Sequence, residues 1–256
     1  MILHSFGDSF VMGDQDDFWH EFPAHNKPNH NFTDYSEHVK YLKANVSFPS
    51  VIGKELDIQS FNHAERGSGN YPQLDKLWIA LTNKKINSDD LVLFGITTGC
   101  RDRPFLFDVP RVLGTIPCGE CMVDRDLINS NNHGLIYQMD HFYIHSILAQ
   151  LSKTFNVKII KINLFDNPLD EFDDNIANLF KFDNFIGAGV RGNTLIDILN
   201  DTWGQGIRHP YHDRLVVPLG YEHLYSAKKH PSIAGHQKIA KWLLDNVAEL
   251  QQLKNR

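Results

Sequence analysis

The sequence predicts a three-layer α/β/α fold of the flavodoxin-like type, in which a mostly parallel sheet carries helices on both faces. Segments with the period of strands alternate along the chain with amphipathic segments that have the period of helices. The apolar run at 91–95 is unbroken, as in a strand that a parallel sheet buries on both sides. The chain has 256 residues, which allows one large α/β domain or two small ones. We expect residues 1–256 to form a single domain.

Five elements are predicted in the N-terminal part of the chain. Residues 2–6 have the pattern of a short strand with apolar ends, and a weaker strand pattern lies at 57–61. A helix at 48–56 is implied by the family resemblance given below, and residues 71–83 have a helical pattern of apolar residues. The buried strand at 91–95 follows the second of these helices.

Residues 14–46 form a long polar and aromatic stretch with no clean period. We interpret it as an irregular insertion with some helix at 35–42. Loops of this length are often lids over a functional site, although a surface excursion explains the composition equally well. Because the stretch directly follows the first strand and its turn, we expect it to border the crevice at that strand's end.

The rest of the chain continues the alternation. Residues 104–133 have the prolines and glycines of a loop, and a long helix is predicted at 135–151. The segment 157–165 gives the clearest strand pattern in the chain. Helical patterns follow at 194–199 and at 232–250, and the last one has its apolar residues on one face.

Composition argues against several functional classes. The formal net charge of −6 disfavours a nucleic-acid or anionic-membrane surface. No apolar run approaches the roughly 20 residues that a membrane span needs. No signal peptide is visible, so we expect a cytoplasmic or otherwise soluble protein.

Two patterns that suggest a cofactor are weak. The C-x-x-C pair at 118–121 lacks the second pair that a tetrahedral zinc site usually needs, and three cysteines fit a reducing compartment. The glycines at 187–192 match G-x-G-x-x-G, but the segment before them is too polar for the central strand of a dinucleotide-binding unit. We expect no metal and no organic cofactor.

Ser9 is the candidate nucleophile. It lies in residues 7–10 (GDSF), directly after the first predicted strand, where open α/β sheets place their ligand crevices. A serine hydroxyl is a poor nucleophile until a base takes its proton, so Ser9 needs an imidazole from elsewhere in the chain. His230 is the candidate base, and it begins residues 230–236 (HPSIAGH) at the start of the final helix.

Together these two segments resemble the SGNH/GDSL hydrolase family, whose pattern puts a serine block first and an Asp-x-x-His-Pro block last. The resemblance runs from residue 2 to about residue 250, as short islands. It implies a flavodoxin-like α/β fold in which Ser9 is the nucleophile and His230 is the base, with no metal and no cofactor.

The resemblance also implies an oxyanion hole formed by Ser9, Gly67 and Thr97. Gly67 stands in the Asn-x-(small)-x-x-Gly setting of the family's second block, where a backbone N–H can face a developing oxyanion without a side chain in the way. The family's third block reads Gly-x-Asn-Asp, and Thr97 replaces its first Asn. The threonine hydroxyl can also donate a hydrogen bond, but the side chain is shorter than that of asparagine and the donor is less fixed in direction. Arg101 or Arg103 is an alternative donor.

A second departure concerns the group that orients His230. The family places an Asp three residues before the histidine, and this chain has Ala227 there. The alternatives are a backbone carbonyl or a carboxylate from another part of the crevice wall, either Glu222 or Asp213.

The activity that the resemblance implies is hydrolysis of an ester by a serine esterase or acylhydrolase, on an O-acetyl or other short-acyl group of a carbohydrate. We therefore expect a small-molecule or carbohydrate ester as partner, and neither nucleic acid nor a membrane. Two alternatives stay open. Thr97 and Ala227 favour a non-catalytic binding module on the same fold, and the same site also suits acyl transfer to a sugar hydroxyl.

Overall fold

The computed structural model describes residues 1–14, 35–97, 133–165, 185–186, 194–205, 215–227 and 229–255. In these ranges the backbone forms a sheet of five parallel strands in the order β2-β1-β3-β4-β5. The strands are β1 Ile2–Phe6, β2 Gln59–Asn62, β3 Leu91–Ile96, β4 Lys158–Asn163 and β5 Phe185–Ile186. The order confirms the predicted flavodoxin-like sheet.

The described helices lie between consecutive strands from β1 to β4 and after β5. They are α1 Ser9–Met12, α2 Tyr35–Tyr41, α3 Phe48–Glu55, α4 Asn70–Thr82, α5 His133–Phe155, α6 Leu195–Asn200, α7 Ile233–Asn246 and α8 Ala248–Lys254. A π-helical segment, Leu42–Val46, continues α2, and a 3₁₀ turn, Glu222–Leu224, lies ahead of α7.

The sheet separates two apolar cores, which confirms the three layers. On one face, Leu3, Leu93 and Ile160 pack with residues of α3, α6 and α7. On the other face, Phe6 and Phe94 pack with residues of α4 and α5. Successive residues of a strand point to opposite faces, so a strand with helices on both sides must be apolar at every position. All six residues of β3 are buried accordingly.

Three observed boundaries differ from the predicted ones. The strand predicted at 57–61 begins at Gln59, because Asp57 has a φ of +52° and still belongs to the turn after α3. The final helix is two helices, separated by an extended Val247. The long helix predicted at 135–151 runs from His133 to Phe155. Among the described residues of the polar segment before the glycines, Phe185–Ile186 form a strand at the edge of the sheet.

Part of the predicted organisation falls outside the described residues. This applies to 15–34 of the insertion, to the loop at 104–132 with the C-x-x-C pair, and to the glycines at 187–192. The helix predicted at 35–42 is present as α2 and its π-helical continuation. No helix in the described ranges combines the length and the apolar character that crossing a bilayer requires.

The strand order places a switch point between β1 and β3. After β1 the chain runs to α3 on one face, and after β3 it reaches α5 on the other face. The two connections diverge, so a crevice opens at the carboxyl ends of these strands, where ligands of such sheets bind. Ser9 follows β1 and Thr97 follows β3 at this edge.

Gly95 permits the close approach of β3 to the helix that begins at Ser9. A Cβ on Gly95 would lie 2.5 Å from Val11 Cγ2 and 3.2 Å from the methyls of Leu164. We expect Gly95→Ala to lower the free energy of unfolding by about 1–3 kcal/mol, as overpacking of a core does. Because Val11 is the nearest obstacle, the cost should be smaller in a Val11→Ala background. Urea unfolding of the four variants measures this coupling, and an equal cost in both backgrounds would contradict it.

Candidate active site

Ser9 lies in a sharp turn between β1 and α1. Gly7 makes the turn with a φ of +150°, a backbone conformation that residues with a side chain rarely adopt. Asp8 caps the helix, and its Oδ1 accepts a hydrogen bond from the Phe10 N–H at 2.9 Å. As the first residue of α1, Ser9 has its backbone N–H at the open end of the helix. The predicted position of the serine at the strand's end is confirmed.

A tight hairpin presents His230. Tyr225 and Pro231 form an antiparallel bridge, and the Ser226 N–H donates to the His230 carbonyl at 2.7 Å. The His230 N–H donates to Ser226 Oγ at 3.2 Å. Ser232 then caps α7 through a hydrogen bond from the Gly235 N–H. The histidine backbone is therefore held on both sides before the helix begins.

The hairpin brings His230 to Ser9 across 221 positions of sequence. Ser9 Oγ and His230 Nε2 are 2.8 Å apart, and the two residues are 2% and 4% exposed. If the hydroxyl donates, Nε2 is the acceptor and the ring proton resides on Nδ1. The Phe10 ring packs on the imidazole with 4.8 Å between centroids. A hydroxyl and an imidazole at this distance can act as nucleophile and general base.

Gly67 is the third residue of a turn after β2. The Ser68 N–H donates to the Glu65 carbonyl at 3.2 Å, and Gly67 has a φ of +68°. A positive φ at this position of a turn favours glycine. The turn's own hydrogen bond uses the Ser68 N–H, so it leaves the Gly67 N–H available to another acceptor. The Glu65 N–H donates to the Gly7 carbonyl at 3.1 Å, which ties the turn to the loop that carries Ser9.

Thr97 follows β3, and its hydroxyl lies against Asp8. Thr97 Oγ1 donates to Asp8 Oδ2 at 2.9 Å, and both residues are buried. A hydroxyl has one proton, and here that proton is used by the carboxylate. In this arrangement Thr97 stabilises the cap of α1 instead of offering its hydroxyl proton to an oxyanion beside Ser9.

The first turn of α4 joins the loops around the site, which the sequence did not reveal. The Asn70 side chain accepts from the Thr97 N–H at 2.9 Å and donates to its carbonyl at 3.0 Å. Gln73 accepts from the Gly7 N–H at 3.2 Å and donates to Ser68 Oγ at 2.8 Å. Both amides are 1% exposed. Gln73 links the Gly7 loop to the Ser68 loop and Asn70 binds the Thr97 loop, so the first turn of α4 fixes the separation of these loops. The visible signal was two amide residues, three apart, at the start of a helix.

Of the two carboxylates considered for orienting His230, the structure describes Glu222 but not Asp213. Glu222 Oε2 accepts a hydrogen bond from the Gly220 N–H at 2.8 Å, within its own exposed turn. Asp213 lies outside the described residues, as do Arg101 and Arg103. Ala227 is exposed on the hairpin.

His236 lies behind the site as a buried, neutral imidazole. Its Nδ1 accepts from the Phe48 N–H at 3.3 Å. Burial lowers the pKa of His236 to about 3, and the nearby His230 adds to this effect. It packs in the interior, stacked on the Phe48 ring with 6.1 Å between centroids. In the described part of the chain, no three His, Cys, Asp or Glu side chains form a cluster that could hold a metal ion.

Comparison with known proteins found similarity to solved structures. One is named as a lipolytic protein of the G-D-S-L family from Desulfitobacterium hafniense DCB-2, with 14% identity, a TM-score of 0.47, and coverage of 94% of this chain and 96% of that one. A member of the same lipolytic family from Veillonella parvula DSM 2008 has 12% identity and a TM-score of 0.43, with 98% and 100% covered. An active-site mutant of a family two carbohydrate esterase from Clostridium thermocellum has 12% identity and a TM-score of 0.43, with 98% and 64% covered.

No protein-family model matches the sequence, and no curated protein matches it. At identities of 12–14% and TM-scores below 0.5, the structural likeness decides nothing about activity. The function proposed below therefore rests on the contacts of this chain.

The buried His236 should make stability depend on pH. Its pKa is 6.5 in the unfolded chain and about 3 in the folded one, so between these values only the unfolded state takes up the proton. The contribution to stability is complete above pH 6.5 and declines as the pH falls towards 3. His236→Asn removes the titrating ring and keeps an acceptor. Urea unfolding from pH 4.5 to 7.5 should show a flatter acid-side slope for the variant, and equal slopes would contradict this.

Proposed function

We propose that the protein is a serine hydrolase that cleaves an ester bond, with Ser9 as nucleophile and His230 as general base. The observation that carries the proposal is the buried 2.8 Å contact between Ser9 Oγ and His230 Nε2. A buried hydroxyl–imidazole pair at the switch point of a parallel sheet lies where ligands of such sheets bind. Elsewhere a buried serine usually finds a backbone carbonyl, as Ser50 does with the Ser47 carbonyl.

The chemistry follows from this pair. Ser9 Oγ attacks the acyl carbon while its proton passes to His230 Nε2, which gives a tetrahedral oxyanion and an imidazolium. The imidazolium returns the proton to the leaving alcohol, and the acyl group stays on Ser9. His230 then takes a proton from water, the hydroxide attacks the acyl-enzyme, and Ser9 is released with its proton. Each step balances without a metal or a redox cofactor.

The oxyanion is stabilised by backbone N–H groups in this proposal. The Ser9 amide lies at the open end of α1, and the Gly67 amide is not used by its own turn. Thr97 contributes indirectly, since its hydroxyl holds the Asp8 carboxylate that caps α1. Preorganised amides of this kind lower the barrier because they need no reorganisation as the charge develops.

The substrate class in the proposal is an O-acetyl or short-acyl ester of a carbohydrate or another small alcohol. This choice follows the resemblance of the serine and histidine blocks, and a panel of acetyl, butyryl and octanoyl esters with sugar and simple alcohol leaving groups tests it. Transfer of the acyl group to a sugar instead of water would appear as acylated sugar in the same assay.

Ser9→Ala should lower kcat for p-nitrophenyl acetate by roughly 10⁴-fold or more, and His230→Ala by a similar factor, because nucleophile and base act as one unit. The matched control is Ser5→Ala, which removes a buried hydroxyl of β1 whose Oγ makes no hydrogen bond to the described residues. Ser5→Ala should retain wild-type turnover.

If Ser9→Ala keeps wild-type kcat, Ser9 is not the nucleophile. If the wild type binds acylated sugars without turnover, the binding-module alternative replaces the hydrolase.

Asp213 is proposed here as the carboxylate that orients His230, in preference to Glu222, whose Oε2 accepts a hydrogen bond from the Gly220 N–H within its own exposed turn. In a serine protease, loss of the orienting carboxylate left the histidine in the wrong tautomer and lowered kcat by about 10⁴-fold. We expect Asp213→Asn to lower kcat by roughly 10²- to 10⁴-fold, while the isosteric control Glu222→Gln stays within about twofold of wild type. Steady-state kinetics on all three proteins measures this. Wild-type turnover by Asp213→Asn would assign the role to a backbone carbonyl, and the opposite ranking would assign it to Glu222.

A further inference from the structure

Asp14 is a buried carboxylate joined to the backbone of the nucleophile. It follows α1, and its N–H donates to the Ser9 carbonyl at 3.1 Å, beside the Gly13 N–H at 3.2 Å. Its side chain is 3% exposed. A buried carboxylate is costly unless it is paired, so its partner is under strong constraint.

Arg66 is a cationic partner of Asp14, and it directly precedes Gly67. Arg66 Nε lies 3.1 Å from Asp14 Oδ2. The N–H is not aligned with that oxygen as a hydrogen bond, so the contact is an ion pair. The Arg66 side chain is 46% exposed, which reduces the stabilising effect of the pair through screening by solvent. The pair therefore matters for where it holds the loop more than for how much it stabilises the fold.

Packing leaves space open at Gly67 itself, although its other neighbour, Ser68, is buried and accepts a hydrogen bond from Gln73. No atom of the described residues, apart from its chain neighbours, lies within 4 Å of the position that a Gly67 Cβ would occupy. The Asn62 side chain also links this loop to α1 by donating to the Val11 carbonyl at 2.8 Å, but it does so five residues before Gly67. The Asp14–Arg66 pair acts at the residue next to Gly67.

We propose that the Asp14–Arg66 ion pair is a positioning device that sets the place of the Gly67 amide relative to Ser9. Asp14 is tied to Ser9, because its own N–H donates to the Ser9 carbonyl. Arg66 directly precedes Gly67, so it fixes the peptide group that contains the Gly67 N–H. This inference rests on the proposed function, since it assigns that amide to the oxyanion. Displacement of a donor by about 1 Å is enough to cost up to about 10²-fold in rate.

The test uses Arg66→Gln, Asp14→Asn and the double variant with p-nitrophenyl acetate. Each single variant should lower kcat by roughly 10-fold, with KM changed by less than about twofold, because the amide acts on the transition state more than on bound substrate. The double variant should be no slower than the slower single variant, since both remove the same link. A fluorophosphonate end point gives the active fraction and separates slower chemistry from misfolding.

The matched control is Lys76→Gln. It removes the ion pair that Lys76 makes with Glu65, which lies on the same turn as Gly67, and it leaves the Asp14–Arg66 pair in place. It should leave kcat unchanged. Arg66→Gln with kcat within twofold of wild type, or effects of the two single variants that multiply in the double one, would overturn the inference. Failure of the proposed function looks different, because Ser9→Ala would then be as active as wild type.

Discussion

The site depends on one buried hydrogen bond between the two ends of the chain, Ser9 Oγ to His230 Nε2 at 2.8 Å. Local contacts hold the backbone of each of these two residues. Gly7 makes the turn that carries Ser9, Asp8 caps the helix that follows, and the hairpin around Ser226 fixes the backbone of the histidine. The bond forms only if β1 and α7 take their final places, so the chemistry requires the complete sheet and the helix packed on it.

Polar contacts hold the loops that converge on Ser9. The Asn70 side chain satisfies the Thr97 N–H after β3, and the Gln73 side chain satisfies the Gly7 N–H after β1 and binds the Ser68 hydroxyl in the loop after β2. Thr97 closes the arrangement by donating to Asp8. The Thr97 hydroxyl, which the resemblance places in an oxyanion hole, thus supports the helix cap next to Ser9 in the structure.

Much of the fold was predictable, because it follows from period and burial. The unbroken run at 91–95 could only be a strand covered on both faces, and β3 is that strand. The pairing of Ser9 with His230 was predictable from the two sequence blocks that carry the family resemblance, and the structure brings these side chains together. The roles of Asn70 and Gln73 were not, since an amide at the start of a helix has no characteristic period or partner in sequence. The ion pair of Asp14 and Arg66 was missed because its members lie 52 positions apart, and contacts at such separation appear only once β1 and β2 are paired.

The central claim is that Ser9 is a nucleophile activated by His230. It is tested most directly by incubating the protein with a fluorophosphonate and mapping the adduct by mass spectrometry, in the wild type and in His230→Ala. Phosphonylation needs a serine whose proton is taken by a base, whereas simple binding does not. The account predicts one adduct, on Ser9, formed at least about 10²-fold more slowly in His230→Ala. No adduct on the folded wild type, or an adduct on another serine, would contradict it.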